Sequence, residues 1–154
     1  MKANLLPPVE LLRERFHYDP NTGELTFARS RGKVKAGDTA GCMAKGYKVV
    51  VVDYVNYPVH RIIYKHYHGV EPGESLVDHI NMNKLDNRIT NLRLASHGLN
   101  RANRNAKRYC KRGNKYRVQL NKDGRIWFTE TYKTEEEAKK MAEIKYKQLM
   151  EEYE

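Results

Sequence analysis

The stretch that most constrains the fold runs from Ile80 to Thr90 and holds four Asn or Asp residues in eleven. Asn and Asp side chains bond nearby backbone groups and stabilise turns, so this stretch cannot form regular structure. Alternating segments at 75–79 and 91–95 flank it, and each predicts a short strand. Ser96 then suits the N-cap of a helix that extends to about Asn105. The sequence therefore predicts strand, long loop, strand and helix in this order.

A mixed helix and strand segment precedes this unit. Residues 7–16 predict a short amphipathic helix that begins at a proline pair. Residues 24–27 alternate like a strand, and residues 30–46 form a glycine-containing loop. Residues 47–57 are rich in β-branched and aromatic side chains, which indicates strand structure with a turn near residues 53–56. Residues 59–67 have helical spacing, and Gly69 ends that helix.

The C-terminal part predicts a small sheet packed on one helix. Residues 101–113 look like a basic linker, and residues 115–120 predict a strand. An Asp-Gly turn at 121–124 leads into residues 125–132, which predict one bent strand or two short ones. Thr134 to Glu137 form a capping box, and a helix with an apolar stripe follows. The stripe consists of Ala138, Met141, Ala142 and Leu149.

These elements predict an α+β fold with two domains. The first domain would span residues 1–106, with its strand-loop-strand-helix core at about 75–105. The second would span residues 107–154 and hold a three-stranded sheet with one helix. A chain of 154 residues has room for two small domains of this kind.

The positive charge of the chain is concentrated in one segment. The formal net charge is +10, and the 33 residues from Arg93 to Arg125 carry 11 basic side chains and one acidic side chain. A solvated charged face usually mixes signs, and this segment does not. We therefore predict that it binds a polyanion, with nucleic acid the first candidate.

Cysteine content and hydropathy exclude several other classes. Cys42 and Cys110 lack CxxC spacing, so neither a disulfide framework nor a cysteine zinc site is indicated. The N-terminus lacks the apolar stretch of a signal peptide, and the run at 49–52 has only the length of a strand. We expect a cytoplasmic protein with no membrane partner.

Four polar side chains would converge if the two central strands pair and the helix crosses them. Asp78 and His79 end the first strand, Asn91 begins the second, and Asn100 lies one turn into the helix. One carboxylate and one amide oxygen suit a single Mg²⁺ or Mn²⁺ ion, which keeps positions for water and phosphate oxygens, and no structural zinc is expected. A neutral imidazole can take a proton from an attacking water. We expect Asn91 to hold that imidazole by hydrogen bonding.

Other polar residues in this region have a structural interpretation. Asn83, Asp86 and Asn87 are expected to shape the loop. His60, His66 and His68 have the spacing H-x5-H-x-H, but the sequence offers no matching fourth ligand for zinc. We therefore expect each of them to be a packed or surface histidine of the helix.

Four segments together resemble a known family. They are residues 59–61, residues 77–81, residues 84–93 and residues 100–103, and they are similar to the HNH endonucleases of bacteriophages, including homing endonucleases. The likeness extends over roughly residues 9–106. It implies a ββα-metal fold that cuts or nicks double-stranded DNA with a divalent ion.

The resemblance also implies a role for each of the four side chains. His79 corresponds to the general base, Asn91 to the middle asparagine, and Asp78 with Asn100 to the metal ligands. Many members have histidine where this chain has Asn100. A phage-encoded member would act in the cytoplasm of the host cell, as a monomer or weak dimer.

A second, weaker resemblance covers roughly residues 109–150. Residues 115–120, 127–129 and 134–138 are similar to the Apetala-type DNA-binding domain, in which a three-stranded sheet enters the major groove. It implies that the sheet residues Lys115, Arg117 and Arg125 face DNA, and it leaves two alternatives for Trp127, which either faces DNA with them or packs under the helix. We expect Phe128 to pack in the core. Basic residues before the sheet are predicted to bind phosphates, namely Arg101, Arg104, Lys107, Arg108, Lys111 and Arg112.

The leading hypothesis from the sequence is a divalent-metal-dependent endonuclease that hydrolyses phosphodiester bonds of double-stranded DNA. The alternative is a non-catalytic, sequence-specific DNA-binding regulator. An RNA-binding protein would use the same basic segment, but it would not need Asp78, His79 and Asn100 together.

Overall fold

The computed structural model describes residues 5–73, 75–103 and 107–153, and within them the chain has an α+β fold. The helices are α1 (Val9–Arg15), α2 (Val59–His68), α3 (His97–Ala102) and α4 (Glu135–Glu151). The strands are β1 (Phe16–Asp19), β2 (Glu24–Phe27), β3 (Cys42–Ala44), β4 (Tyr47–Val52), β5 (Val55–Pro58), β6 (Leu76–His79), β7 (Leu92–Ala95), β8 (Tyr109–Arg112), β9 (Lys115–Lys122) and β10 (Arg125–Tyr132). A 3₁₀ turn at Ile89–Asn91 leads into β7.

The strands form four small sheets. β1 and β2 make an antiparallel hairpin, and β3, β4 and β5 make an antiparallel sheet in that order. β6 pairs with β7, while β8, β9 and β10 form a three-stranded antiparallel sheet with β9 in the centre. The ββα element predicted between residues 75 and 105 is thus formed by β6, β7 and α3 in sequence order.

Contacts divide the chain into two compact units, Met1–Leu94 and Ala95–Glu154. The core of the first unit packs α1, α2 and the β1–β2 and β3–β5 sheets around buried side chains such as Leu12, Phe16 and Ile62. The core of the second unit centres on Val118, which packs under Ala138 of α4. Burial of such apolar side chains supplies the main stabilisation of each unit.

Helix α3 is grouped with the second unit. A Cβ atom on Gly98 would meet the side-chain carboxylate of Asp123, so α3 lies directly against the β9–β10 turn. At the other end of α3, Tyr146 of α4 donates a hydrogen bond of 2.8 Å to the Asn103 amide oxygen. The domain division predicted at residue 106 stays a prediction, whereas the contacts of α3 lie with the C-terminal sheet and helix.

Local sequence chemistry explains the ends of several elements. Pro8 precedes α1, and Gly69 ends α2 in the left-handed conformation with φ of 73°. Thr134 and Glu137 form the predicted capping box of α4, and Ser96 accepts a hydrogen bond from the Leu99 amide at the start of α3. Each cap satisfies backbone groups that a helix end leaves without partners.

Three strands differ from the sequence expectations. β1 begins where we expected the first helix to end, β3 lies inside the predicted loop 30–46, and β8 lies inside the predicted linker 101–113. These strands are three or four residues long and at the edges of their sheets. Their pairing depends on backbone hydrogen bonds to a neighbour rather than on an alternating pattern of their own. α3 ends at Ala102, and residue 105, where we expected its end, lies outside the described residues.

None of the helices that the structure describes is both long and apolar enough to cross a membrane.

Candidate active site

The candidate site begins at the end of β6, where two polar side chains are buried side by side. Asp78 is 7% exposed and His79 is 4% exposed. Buried polar groups are costly unless they are paired, so their burial indicates a defined local environment. The backbone amide of Ile80 donates to the Asn91 carbonyl at 2.9 Å, which joins the end of β6 to the turn before β7.

Asn91 holds the long loop closed. Its side-chain oxygen accepts a hydrogen bond from the Asn81 amide at 2.9 Å, and its side-chain nitrogen donates to the Asp86 carbonyl at 2.8 Å. Asn91 is 6% exposed, so these bonds lie largely out of water. Asn91 therefore brings the two ends of the loop into contact beside His79.

A second asparagine of the loop contacts the imidazole. The Nε2 atom of His79 lies 3.0 Å from Oδ1 of Asn87, and both residues are buried. We expected Asn91 to hold the imidazole and Asn87 to shape the loop. The structure reverses these two assignments, because the bonds of Asn91 close the loop while the amide of Asn87 reaches the ring.

The remaining loop residues behave as the sequence predicts. Oδ1 of Asn83 accepts from the Leu85 amide, and Asp86 bonds Arg88 through two side-chain hydrogen bonds of 2.8 and 2.6 Å. The hydrogen bond from the Arg88 guanidinium lowers the pKa of the Asp86 carboxyl well below its usual range. Asp86 is therefore a charged, structural side chain of the loop.

Aromatic rings cover the other side of the His79 imidazole. The His60 ring on α2 lies 5.0 Å from it, centroid to centroid, and the Tyr47 ring lies 5.5 Å from His60. The Nζ atom of Lys84 sits 4.2 Å above the Tyr47 ring. Burial, together with the nearby His79 and Arg61, lowers the pKa of His60 to about 3. His60 is thus a neutral packed ring, and its contact with His79 was not predicted from the sequence.

The other two histidines of α2 lie elsewhere. The ring of His66 contacts the Phe16 carbonyl at 3.1 Å, and the ring of His68 packs against Tyr64 and Tyr67. Their expected interpretation as packed or surface histidines agrees with these contacts. Burial lowers the pKa of His66, which favours its neutral form.

The Asp78 carboxylate is paired with an arginine of β7. Nη2 of Arg93 lies 3.3 Å from Oδ2 of Asp78, and the two side chains are 18% and 9% exposed. A carboxylate oxygen is the kind of ligand that a hard cation prefers.

The donor chemistry of this region fits a lightly held ion. In the described part of the chain, no group of three or more His, Cys, Asp and Glu side chains is placed to hold a metal. Mg²⁺ usually binds through one or two carboxylates and keeps several waters, so one buried carboxylate beside an imidazole is compatible with it. Asn100 lies on α3 in the second unit, and its role as second ligand stays a prediction.

The predicted DNA-binding residues lie mainly on the second unit. Strand register places Lys115, Arg117 and Arg112 on the same face of the sheet, the one opposite to the buried Val118. Arg117 also donates to the Thr129 hydroxyl at 3.1 Å on that face. Lys111 and Arg125 have the opposite register, although both are exposed.

The basic residues before the sheet have varied surroundings. Arg101 is exposed at the end of α3, and Lys107 pairs with Glu135 at 3.0 Å. The guanidinium of Arg108 stacks on the Tyr146 ring at 3.6 Å. Arg104 lies outside the described residues.

Two aromatic residues of β10 have separate roles. Phe128 packs against the core of the second unit, as expected. Trp127 lies at a register shift between Ile126 and Phe128, and its indole N–H donates to the Glu152 carboxylate at 3.1 Å. The β-bulge thus lets two consecutive aromatic residues take different environments.

The first unit also contains a cavity of about 610 Å³ next to the β1–β2 and β3–β5 sheets. Its lining includes Phe16, Phe27 and Val49 and none of the residues of β6 or the loop that follows. This cavity is therefore separate from the candidate site.

Comparison with known proteins gives one family to which part of the chain is similar. Residues 57–102 match the family model described as HNH endonuclease, and the matched segment includes β6, the loop and β7. No curated protein and no solved structure matches the chain. The family match supports an HNH endonuclease, that is, a nuclease that acts on DNA. Nucleases of this class generally use a divalent metal ion.

Proposed function

We propose that this chain is a divalent-metal-dependent endonuclease, similar to the phage homing endonucleases, that hydrolyses phosphodiester bonds of double-stranded DNA. The observation that carries the proposal is the buried Asp78–His79 pair at the end of β6, inside the matched segment 57–102. The cofactor would be a single Mg²⁺ or Mn²⁺ ion, held by Asp78 and, from the sequence, by Asn100.

His79 is the general base in this proposal. Its imidazole takes a proton from a water that attacks the phosphorus atom, a contribution of about 10²–10⁴-fold in rate. Asn91 holds the loop beside the ring, and Arg93 forms an ion pair with the Asp78 carboxylate. A bound divalent ion supplies stabilisation for the charge that develops on the phosphate and on the leaving 3′ oxygen.

Recognition of DNA is assigned to the second unit, as an Apetala-type sheet. Arg112, Lys115 and Arg117 share one face of the three-stranded sheet, and a β-sheet face of this size fits the major groove of duplex DNA. Six other basic residues would contact phosphates, which position the protein without selecting a sequence: Arg101, Arg104, Lys107, Arg108, Lys111 and Arg125.

Plasmid cleavage tests the catalytic proposal. We expect the full chain to convert supercoiled plasmid to nicked or linear DNA in Mg²⁺ or Mn²⁺, and EDTA to stop the reaction. His79→Ala should still bind DNA but lose cleavage by at least about 10²-fold, because the proton acceptor is removed. Full cleavage by this variant would remove His79 from the mechanism.

A matched substitution on the same chain controls for general damage. His97→Ala removes an exposed histidine at the start of α3 and should leave cleavage unchanged. If the wild-type chain binds duplex DNA tightly but never cuts it with either ion, the alternative function, a non-catalytic DNA-binding regulator, takes the place of the endonuclease.

A further inference from the structure

The contact between His79 and Asn87 fixes more than the position of the ring. An amide oxygen only accepts hydrogen bonds, so the 3.0 Å contact with Oδ1 of Asn87 is a hydrogen bond only if Nε2 of His79 carries the proton. In a neutral imidazole one nitrogen carries a proton and the other a lone pair. Nδ1 is then the nitrogen that takes a proton.

We propose that Asn87 is the positioning residue that fixes the tautomer of His79, so that Nδ1 is the base in the reaction. The inference rests on the proposed endonuclease function and deepens it. It assigns the role that we expected for Asn91 to a different residue of the same loop.

The N-terminal hairpin holds Asn87 in place. The hydroxyl of Tyr18 on β1 donates to the Asn87 backbone carbonyl at 2.9 Å, across 69 positions of sequence. Gly23, in the turn between β1 and β2, lies against the same segment, since a Cβ atom there would approach within 2.7 Å of the Asn87 carbonyl carbon. Asn87 is 3% exposed, so water does not compete for these contacts. The hairpin therefore supports the asparagine, and the asparagine supports the imidazole.

Nuclear magnetic resonance of the ¹⁵N-histidine-labelled full chain tests the tautomer directly. The six histidines give few signals, and His79→Gln identifies the one from His79. At about pH 8.5, two units above the reference pKa of histidine, the spectrum reports neutral rings. We expect a proton on Nε2 of His79, slow enough in exchange to be observed because Asn87 accepts it.

Three variants separate positioning from general structure. Asn87→Asp keeps an acceptor oxygen of the same reach and should keep the Nε2 proton signal. Asn87→Ala should lose it to rapid exchange with water. Asn83→Ala removes an exposed asparagine of the same loop, whose side chain accepts a hydrogen bond from the Leu85 backbone amide, and it should leave the His79 signal unchanged.

Cleavage kinetics provide the second measurement. We expect Asn87→Ala to lower kcat by about 10- to 100-fold with unchanged KM for DNA, the size of effect seen when a group that orients a functional histidine is removed. Asn87→Asp should recover part of that loss.

Two results would overturn the inference. One is a proton on Nδ1 of His79 in the wild-type chain, a result that does not depend on any variant being folded. The other is an Nε2 proton signal that persists in a folded Asn87→Ala variant. The failure of the endonuclease proposal is seen separately, as a wild-type chain that shows the expected signal and does not cut DNA.

Discussion

The imidazole of His79 contacts side chains from three parts of the sequence. Asn87 follows it by eight residues, His60 comes from α2, and Tyr47 comes from β4. The proposed role of His79 as a base requires one defined orientation of the ring, and the packed rings of His60 and Tyr47 together with the Asn87 amide restrict that orientation. The precision of the site therefore depends on the fold of the whole first unit.

His60 links acid conditions to the stability of the first unit. Burial lowers its pKa to about 3, whereas the unfolded chain has the ordinary value of about 6.5. The unfolded state thus binds more protons below pH 6.5, so the stability due to neutral His60 is complete above that pH and is lost as the pH falls toward 3. We expect His60 to lower the free energy of unfolding by about 2 kcal/mol between pH 7 and pH 5.

Urea unfolding at these two pH values measures this effect. His60→Gln, which does not titrate, should lose about 2 kcal/mol less than the wild-type chain between pH 7 and pH 5. His66 adds a loss in the same direction in both proteins, because burial also lowers its pKa. An equal loss in wild type and variant would contradict the assignment of a buried, neutral His60.

At the scale of elements, the β1–β2 hairpin is a support for the active-site loop. Gly23 has φ of 76°, and a Cβ atom there would lie 2.5 Å from the Arg88 backbone nitrogen. Backbone atoms cannot move aside as a flexible side chain can. Gly23→Ala must therefore displace either the turn or the loop that carries Asn87.

Gly46→Ala is the matched control for this substitution. Gly46 has a similar φ of 82°, but nothing lies within 4 Å of the Cβ that would be added. Both variants carry a backbone strain of about 1–2 kcal/mol, and only Gly23→Ala adds an overpacking cost of about 1–3 kcal/mol. We expect urea unfolding to show the difference, and cleavage to fall only for Gly23→Ala. Equal losses of stability for the two variants would contradict a close contact between the hairpin and the loop.

The elements with their own sequence signals were predictable. Helices α1, α2 and α4 follow amphipathic spacing with caps, and β4, β5 and β9 follow β-branched or alternating patterns next to turn residues. Strands β1, β3 and β8 could not be predicted, since short edge strands are selected by a neighbouring strand and not by their own side chains.

The same distinction applies to the candidate site. The spacing of Asp78, His79 and Asn91 predicted that these side chains flank the loop between two paired strands, and their catalytic roles stay predictions. Which asparagine reaches the imidazole depends on the path of the loop through space, and neither spacing nor composition encodes that path. The contact of His60 with His79 was missed for a related reason, since it depends on how α2 packs against β6.

For the whole molecule, the charge distribution predicts which face of the second unit would bind DNA. Lys115 and Lys122 lie on the same strand, β9, with opposite register, and Lys122 pairs with Glu152 at 2.6 Å. If the face with Lys115 binds DNA, Lys115→Gln should remove one phosphate contact. The negative slope of the logarithm of the binding constant against the logarithm of the salt concentration should then become shallower by about 0.9. Lys122→Gln should leave the slope as it is.

Equilibrium binding to a duplex over a range of salt concentrations measures both slopes. A wild-type affinity that is nearly independent of salt would exclude an electrostatic interface of this kind. A change of slope for Lys122→Gln alone would assign the interface to the opposite face of the sheet.

The packing of Gly98 against Asp123 affects where this chain can be joined to domains of other proteins. α3 carries Asn100, and its neighbours are the β9–β10 turn and α4. A chimera that joins the first 106 residues to a foreign recognition domain would keep this helix but lose the surface on which it folds. Recombination between relatives would therefore succeed more readily upstream of α3, in the short link after β7, so that the helix is inherited together with the sheet that supports it.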